Sequence, residues 1–547
     1  MKEGFRQSMA WLHTWSGLLV CWVLLLMFTA GTSSYYRDEI SLWMKPEMHE
    51  ASIKPVASEV AIQSAIGMLE KNAAGINRWF ISAPNERSPS VSVGWSVPPA
   101  PGEKGRGKFV RHELNPSTGE VLGEARDTRG GEFLYRLHFD LHYMPAQWAR
   151  WIAGFCAMFM LAAIISGVIT HKRIFKDFFT FRPKKGQRSW LDAHNALAVL
   201  ALPYHLMITY TGLVTLMFMY MPSGAQVAYS GDQKAFFAEV FPNRGERPAA
   251  GTAAPLAPVA PMIAQAKKHW GGGEIDRVTI NNAGDANATV SITRQQEQKL
   301  SNSRQSVQFD GVTGAMTSFE GDAPSAAVES RGVLMGLHLA SFADPLLRFL
   351  FFLCGLAGSA MVATGALLWA VKKRQEYAKV LAKGGRVGFG LRLVEGLNLG
   401  AIGGLPIAYA AYFWANRLLP LGIDKRPEAE ISWFFIAWGA TALVGLVTAS
   451  RRTWQVVLSI GGLMFMALPV LNVFTTHSHL GVTLLQGKGP WPVVGFDLFA
   501  LVFGFCLLYA VRHLQKKKTA MKPVAKARPQ QTAPNEVTEE LVAREAT

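Results

Sequence analysis

Residues 9–31 read MAWLHTWSGLLVCWVLLLMFTAG and contain no Asp, Glu, Lys or Arg. An α-helix needs about 20 mostly apolar residues to cross the hydrocarbon core of a bilayer. Other stretches of the 547-residue chain are similarly apolar, and they lie at 147–170, 191–219, 345–371, 393–414, 431–449, 456–475 and 493–511. The sequence therefore predicts a mainly α-helical integral membrane protein with about eight transmembrane helices.

The composition agrees with this fold class. Half of the residues are hydrophobic and 17% are charged, whereas a soluble domain carries about 25% charged residues. This balance excludes a soluble enzyme, a disordered chain and a protein whose basic charge serves nucleic-acid binding.

The net charge of +16 is concentrated in the segments that follow every second span. Basic residues crowd the stretches 171–188, 372–386, 451–452 and 512–528. Because short cytoplasmic loops are enriched in Lys and Arg, we expect both termini to be cytoplasmic. The long segments 32–146 and 220–344 then lie on the opposite, external side.

These two external segments share an order of features. Each begins with a helical pattern, at 58–71 and 259–269, and continues with strand-like runs rich in β-branched or aromatic residues. The runs lie at 77–82, 90–96 and 108–113 in the first segment, and at 276–280, 288–293 and 306–309 in the second. Turn signals follow in NPSTG and DGVTG. Each segment is predicted to form one α+β module with a single helix and a small antiparallel sheet.

The flanking spans repeat as well. His13 precedes Gly31 by 18 residues, and His194 precedes Gly212 by the same number. The dipeptide Leu-His lies seven residues before a proline at the start of both the second and the fourth span. The unit helix–module–helix thus occurs twice, over about 1–175 and 190–375, and predicts a four-helix bundle with a pseudo-two-fold axis along the membrane normal. The last four spans show no such repeat.

The histidines carry the chemical signal, because an ionisable side chain inside a span is costly and marks a functional site. His194 and His205 are eleven residues apart, so they project from one helix face with a rise of about 16 Å. A haem within a bundle needs imidazoles from facing helices at matching depth. The candidates for the iron ligands are His13, His171 and His194 at an inner level, and His138, His205 and His338 at an outer level.

The pairing at each level stays open, since three histidines are present where two are required. The third could bind a haem propionate or substrate, and His142 is a further outer candidate. A zinc site at His138 and His142 is a weaker alternative, because HFDLH lacks the glutamate of HExxH. At the outer end of the seventh span lie His477 and His479. We expect them to cap the helix, in preference to contacting substrate or relaying protons.

Several quoted motifs resemble one family. WLHTWSGL opens the first span, SGVITHKRIFKDFFTFRP closes the second, and WLDAHN and LPYHLMITYTGL belong to the third. Together they resemble the PepSY-associated transmembrane helix family over about residues 5–375. The external modules, with the turns NPSTGEV and DGVTGAM, resemble PepSY domains.

Members of this family include inner-membrane ferric-siderophore reductases of Gram-negative bacteria with two b-type haems. The resemblance implies a bacterial inner-membrane oxidoreductase, a haem-dependent reductase that carries electrons to a ferric siderophore or other ferric chelate in the periplasm. It directs the search for haem ligands to the same six histidines. The aromatic residues Trp79, Phe80 and Trp95 are candidate substrate contacts.

The electron donor is unknown. The sequence contains no phosphate-binding loop and no flavin or nicotinamide domain. Some relatives carry a cytoplasmic flavoprotein reductase, whereas this chain has four extra spans, which are candidates for a quinol site or a transport path. A cytoplasmic protein or a quinol is therefore the expected donor.

Two other classes of function remain open. A siderophore or solute transporter would use the fifth span as a broken helix, with Glu395, Asn398 and Pro406 lining the path. A ligand-sensing or protease-regulating membrane protein would use the modules alone. A partner nucleic acid is not expected.

The predicted organisation follows from these patterns. It comprises a first span (1–31), module 1 (32–146), a second span (147–171), a basic loop (172–190), a third span (191–219), module 2 (220–344), a fourth span (345–371), a loop (372–392), a four-helix membrane region (393–513) and a disordered tail (514–547).

Overall fold

The fold is seen in a computed structural model. It describes residues 4–49, 56–85, 87–88, 90–97, 108–122, 126–171, 182–183, 185–240, 247–296, 299–322 and 324–515. Most of the predicted loop at 172–190 and almost all of the predicted tail at 514–547 lie outside these residues.

Helices make up most of the described chain. They are α1 (Phe5–Ser34), α2 (Arg37–Trp43), α3 (Ser58–Asn72), α4 (Gly130–Asp140), α5 (Ala146–Thr170), α6 (Gln187–Leu200), α7 (Leu202–Thr215), α8 (Met217–Tyr220), α9 (Ser223–Ala228), α10 (Gln233–Val240), α11 (Val259–His269), α12 (Ala326–Leu339), α13 (Pro345–Glu376), α14 (Ala378–Ala382), α15 (Phe389–Asn398), α16 (Gly404–Leu418), α17 (Arg426–Val447), α18 (Arg451–Thr475), α19 (Leu480–Gln486) and α20 (Trp491–Gln515).

Among the described residues, seven helical segments are long and apolar enough to cross a membrane, and the bent pair α6–α7 makes an eighth. The prediction of about eight spans is confirmed. The two halves of the bent pair meet at 68°. Pro203, in the first turn of α7, lacks the amide hydrogen that would continue α6. The fifth span joins α15 to α16 through a π-helical turn at Leu399–Gly403.

The duplicated helix pairs form the predicted bundle. Helix α1 packs against α5 and α13, α6 packs against α13, and α7 packs against α5, which closes a ring of four spans. The shorter helices that precede the second and fourth spans occupy matching places, with α4 on α1 and α12 on α7. The bundle therefore has two equivalent halves.

The strands of both modules join in one sheet. The strands are β1 (Arg78–Ser82), β2 (Val91–Val97), β3 (Lys108–Leu114), β4 (Ile275–Asn281), β5 (Thr289–Arg294), β6 (Ser306–Asp310) and β7 (Met316–Glu320). Their order is β3-β2-β1-β4-β5-β6-β7, and each neighbouring pair is antiparallel. The seam is the β1–β4 pair, in which Phe80 faces Thr279. Edge-to-edge pairing thus turns two small sheets into a continuous one.

Helices α3 and α11 cover one face of this sheet. Trp79 and Trp95 are cross-strand partners on that face and are buried in its core. The expectation that they form substrate contacts is therefore wrong, because strand residues alternate between the two faces. Phe80 lies on the other face, which is turned towards the helical bundle.

The last four spans are held to the bundle through Trp43, the final residue of α2. Its indole nitrogen donates to Asp497 Oδ1 at 2.9 Å, and its ring lies 4.0 Å below the Arg417 guanidinium. Arg417 also donates to Asn472 Oδ1 at 2.8 Å, and Asn472 donates to Asp497 Oδ2 at 3.0 Å. Buried charges require such partners, so this network fixes where the C-terminal helices pack.

The sheet seam can be tested by a disulfide. We expect the double variant Phe80→Cys/Thr279→Cys to form one, since directly opposed antiparallel residues have Cα atoms about 4.5–5.5 Å apart. Mass spectrometry of non-reduced tryptic peptides detects the link. Phe80→Cys/Gln308→Cys is the matched control, because Gln308 lies three strand spacings, about 14 Å, from Phe80. A link in the control alone would contradict the joined sheet.

His49 gives a pH dependence of stability. Burial lowers its pKa to about 4 from 6.5, and its Nε2 bonds the Leu42 carbonyl at 2.9 Å. Below pH 6.5 the unfolded chain binds a proton at His49 while the folded chain does not, so stability falls as the pH drops. Between pH 6.5 and 5 we expect a loss of about 1.5 kcal/mol.

Thermal unfolding at the two pH values measures this loss. His49→Gln keeps a donor for the Leu42 carbonyl and removes the titration, so its pH dependence should be weaker by that amount. An equal pH dependence in both proteins would contradict the assignment.

Candidate functional site: two histidine pairs and a cavity beneath the sheet

Four of the six predicted histidines meet as two pairs inside the duplicated bundle. His13 on α1 faces His194 on α6, with 6.2 Å between ring centroids. His138 on α4 faces His338 on α12, with 6.1 Å between ring centroids. We call His138 and His338 the sheet-side pair, because they line the cavity under the sheet. We call His13 and His194, which lie deeper in the bundle, the far-side pair. Each pair takes one histidine from each repeat.

All four rings rest in the same kind of cradle. Their Nδ1 atoms contact the carbonyl oxygens of Ala163 (His13, 2.8 Å), Met361 (His194, 2.9 Å) and Met27 (His138, 2.7 Å), and His338 engages the carbonyl of Ile208 and the Thr211 hydroxyl, the latter at 3.0 Å. In each case the residue four positions after the carbonyl is a glycine, namely Gly167, Gly365, Gly31 and Gly212.

The glycines explain how helix carbonyls become accessible. A helical side chain leans towards the N-terminus and covers the preceding turn. A Cβ added at Gly31 would lie 2.8 Å from His138 Nδ1, and one at Gly167 would lie 3.0 Å from His13 Nδ1. Glycine therefore leaves the space that the imidazole fills.

The cradle also fixes the tautomer. A carbonyl oxygen can only accept a hydrogen bond, so Nδ1 of His13, His194 and His138 carries the proton. Nε2 of each neutral ring then keeps its lone pair. This is the arrangement of metal-ligating histidines, which donate the other ring N–H to a carbonyl or carboxylate.

The ring separations match a shared metal. Two imidazoles that place their nitrogens about 2 Å from one metal ion, on opposite sides of it, have ring centres about 6.3 Å apart. The observed centroid distances are 6.2 and 6.1 Å. The two rings of each pair are thus close enough to contact one shared metal ion.

The pairs lie at two depths. On α1, the Met27 carbonyl that His138 contacts is fourteen residues beyond His13, a rise of about 21 Å. His205 lies between them. It is seven residues before Gly212 on α7, and a Cβ at Gly358, seven residues before Gly365, would lie 3.2 Å from its Nε2.

His205 therefore lies about midway between the two pairs and joins neither. The eleven-residue spacing predicts how far His205 lies from His194 along the helix. It does not predict the depth of His138 and His338, which belong to other helices. His205 is 1% exposed, and its ring lies against the Ala198 and Cys354 carbonyls with neither nitrogen in good hydrogen-bond geometry. His171 does not face another histidine. Its Nε2 instead bonds the Asn195 side chain at 2.9 Å.

The remaining histidine predictions resolve differently. His142 stacks on Phe435 and contacts Glu428, away from His138, so the alternative zinc site is not formed. No cluster of three or more His, Cys, Asp or Glu side chains suited to a metal occurs within the described ranges. His479 is the N-cap residue of α19 but its side chain makes no capping bond, and the C-cap of α18 is Thr476, so no histidine side chain caps the seventh span.

A cavity of about 1080 Å³ lies between the sheet and the bundle. Its floor includes His138 and His338, and its roof is the sheet face that carries Phe80, Phe109 and Arg277. Apolar side chains continue it into the bundle, among them Leu24, Met27, Phe28, Ala157 and Met160. The sheet-side pair is therefore reachable from the space under the sheet.

Charged side chains line the upper part of this cavity. The basic ones are Arg37, Lys45, Arg87, Arg111, Arg129, Arg277, Arg304 and Arg348, and the acidic ones are Asp38, Glu113, Glu132, Asp276 and Asp344. Most of the arginines are already in ion pairs, as in Arg87 with Glu39 and Arg304 with Asp276. This mixed polar wall suits an oxygen-rich occupant.

The sequence comparisons agree with the bundle. The family model of the PepSY-associated TM region matches residues 10–372, from within α1 to within α13. The protein belongs to this family of membrane proteins. No curated protein matches the chain.

The repeated glycine cradle was missed by the sequence reasoning. Its signal was present in the 18-residue spacing from His13 to Gly31 and from His194 to Gly212. That spacing links the histidine of one pair to the glycine that supports the other pair.

Proposed function

We propose that this protein is a haem-dependent ferric-chelate reductase that passes electrons through a membrane and reduces a ferric siderophore or similar chelate beneath the sheet. The observation that supports the proposal most is the two facing histidine pairs, with Nδ1 held by a carbonyl and ring centres 6.2 and 6.1 Å apart. Helix packing by itself does not require two histidines to face each other at this distance.

The residues present fit two b-type haems. His13 and His194 would hold one, and His138 and His338 would hold the other. A haem bound by two imidazoles supplies one-electron oxidation and reduction, and its potential depends on axial ligands, burial and hydrogen bonding. The carbonyl bond to Nδ1 raises the basicity of the ligating nitrogen, which stabilises the oxidised form.

The chain's residues position the substrate above the sheet-side pair. The charged walls attract an oxygen-rich chelate, and Phe80 and Phe109 offer aromatic surface. Hydroxamate and catecholate oxygens suit Fe³⁺ better than Fe²⁺. Addition of one electron therefore weakens the chelate and releases iron without cleavage of the ligand.

The sidedness of the proposal follows the basic loops. The described basic ends of α13, α18 and α20 lie on the side away from the sheet, which would be the cytoplasmic side of a bacterial inner membrane. The sheet and its cavity would then face the periplasm. The far-side pair would receive electrons from a cytoplasmic donor.

The transporter alternative loses its polar path. Asn398 accepts from Trp22 Nε1 at 2.9 Å and donates to the Ala366 carbonyl at 3.2 Å. Glu395 bonds Arg374 at 2.6 Å. These groups fasten α15 to α1 and α13, and the bend expected near Pro406 takes the form of the π-helical turn. Uptake of intact chelate by vesicles without reductant would revive the transporter.

The haem content of histidine variants tests the proposal. We expect about two haems per purified chain, and about one after His194→Ala or His338→Ala, because each variant removes one of two axial ligands. His171→Ala is the matched control and should keep the wild-type content, since its ring pairs with Asn195. Pyridine haemochrome absorbance measures the ratio. A wild-type protein without haem would refute the function.

The cavity can be tested separately from the haems. Ser82 lies on the cavity face of β1, and we expect Ser82→Trp to lower kcat/KM for a ferric chelate about tenfold, equivalent to about 1.4 kcal/mol, by filling the substrate space. Ferrous iron trapped by ferrozine gives the rate. Ser318→Trp on β7 is the control outside the cavity lining. The haem spectrum should be unchanged in both variants, and an unaffected rate in Ser82→Trp would contradict the location.

A further inference from the structure

A second pocket lies on the opposite side of α4 from the cavity. Its volume is about 580 Å³, and its walls include Phe133 and Leu137 of α4, His142, and Glu428 and Ile431 of α17. Helices α5 and α17 both begin at this pocket, at Ala146 and Arg426. The pocket is therefore located where two spans begin on the sheet side of the bundle.

The backbone at this pocket is unusual. Leu141, His142 and Tyr143 all have positive φ angles of 51°, 56° and 28°. Residues with a Cβ rarely adopt this conformation, and such strain is concentrated at functional sites. The consequence here is that the His142 ring leaves the α4 axis and stacks on Phe435, with 5.5 Å between centroids and 13° between planes.

His142 and Glu428 form an acid–base pair at the pocket wall. His142 Nε2 lies 3.5 Å from Glu428 Oε2, and Arg129 bonds the other oxygen of Glu428 at 3.0 Å. Burial lowers the pKa of His142 although Glu428 opposes the shift. The ring is thus neutral near pH 7 and can accept a proton.

The pocket favours a neutral amphipathic ligand. Arg129 is paired with Glu428, and Arg136 is paired with Asp140 and Glu132. A phosphate headgroup would find the arginines neutralised and would meet two carboxylates. A flat ring with weakly acidic hydroxyls can instead stack on the aromatic wall and donate to His142 and Glu428.

We propose that this pocket binds a membrane hydroquinone, which donates its hydroxyl protons to His142 and Glu428, and whose electrons would go to an iron porphyrin held by His138 and His338. Leu137 faces the pocket while the adjacent His138 faces the cavity, so the two sites are separated by one helix, about 10–12 Å across. This inference rests on the proposed function for its electron transfer, but not for ligand binding.

The chemistry balances with one-electron acceptors. Oxidation of one hydroquinone to a quinone breaks two O–H bonds and yields two protons and two electrons. The protons pass through the half-exposed His142 and Glu428 to external water. Two ferric chelates accept the two electrons in turn, and an iron porphyrin held by the far-side pair would keep the second electron until the second chelate arrives. The hydroquinone would thus be a second electron donor, besides the cytoplasmic donor proposed for the far-side pair.

Quinone binding tests the site directly. We expect decylubiquinone, titrated calorimetrically into the full-length protein in detergent, to bind about tenfold more weakly to His142→Asn and Glu428→Gln than to the wild type. Asn is chosen at 142 because it tolerates positive φ. His269→Asn is the matched control, because His269 forms a similar half-exposed pair with Asp322 at 2.6 Å, and its affinity should stay unchanged.

The outcomes separate this inference from the proposed function. Equal quinone affinity in all four proteins, or binding of short-chain phosphatidylglycerol in place of quinone, would overturn the pocket assignment even if haem is present. A haem-free wild type that still needs His142 for quinone binding would keep the site and refute the reductase. With haem present, decylubiquinol should reduce it more slowly in both pocket variants, as followed by absorbance.

Discussion

Four imidazoles in the apolar bundle take a helix carbonyl as the partner of Nδ1, and this contact organises the first two-thirds of the molecule. Helix carbonyls are the only plentiful acceptors within a bundle of spans. They become accessible where the residue one turn later lacks a side chain, as at Gly31 and Gly167. The same solution recurs four times, so four histidines are held as neutral rings with Nε2 available.

Duplication places these rings in pairs. Each pair draws one histidine from each repeat, so both pairs lie on the pseudo-two-fold axis between the halves. A metal bound there would receive equivalent ligands from the two halves. His205 and His171 have no symmetric partner of this kind, so the other four histidines alone form facing pairs among the six candidates.

The joined sheet serves the sheet-side pair. Because β1 and β4 pair along their edges, the two modules form one roof instead of two separate lobes, and the cavity beneath it opens onto His138 and His338. The C-terminal spans contribute differently. They are pinned by Trp43, Asp497 and Arg417, and α17 completes the second pocket beside α4.

The sequence by itself determined the elements. Span length, the basic loops and the repeated spacing of His13 and His194 from their glycines were sufficient for the membrane class and the duplicated bundle, since these depend on local hydrophobicity and periodicity. The ranges of α3, α11 and six strands were also predicted to within about two residues. Tertiary structure alone decided which histidines meet, that Trp79 and Trp95 face the helices, that the sheets join, and that His142 turns towards Glu428. Those outcomes depend on helix depth, strand pairing and backbone angles, and residues far apart in the chain set all three.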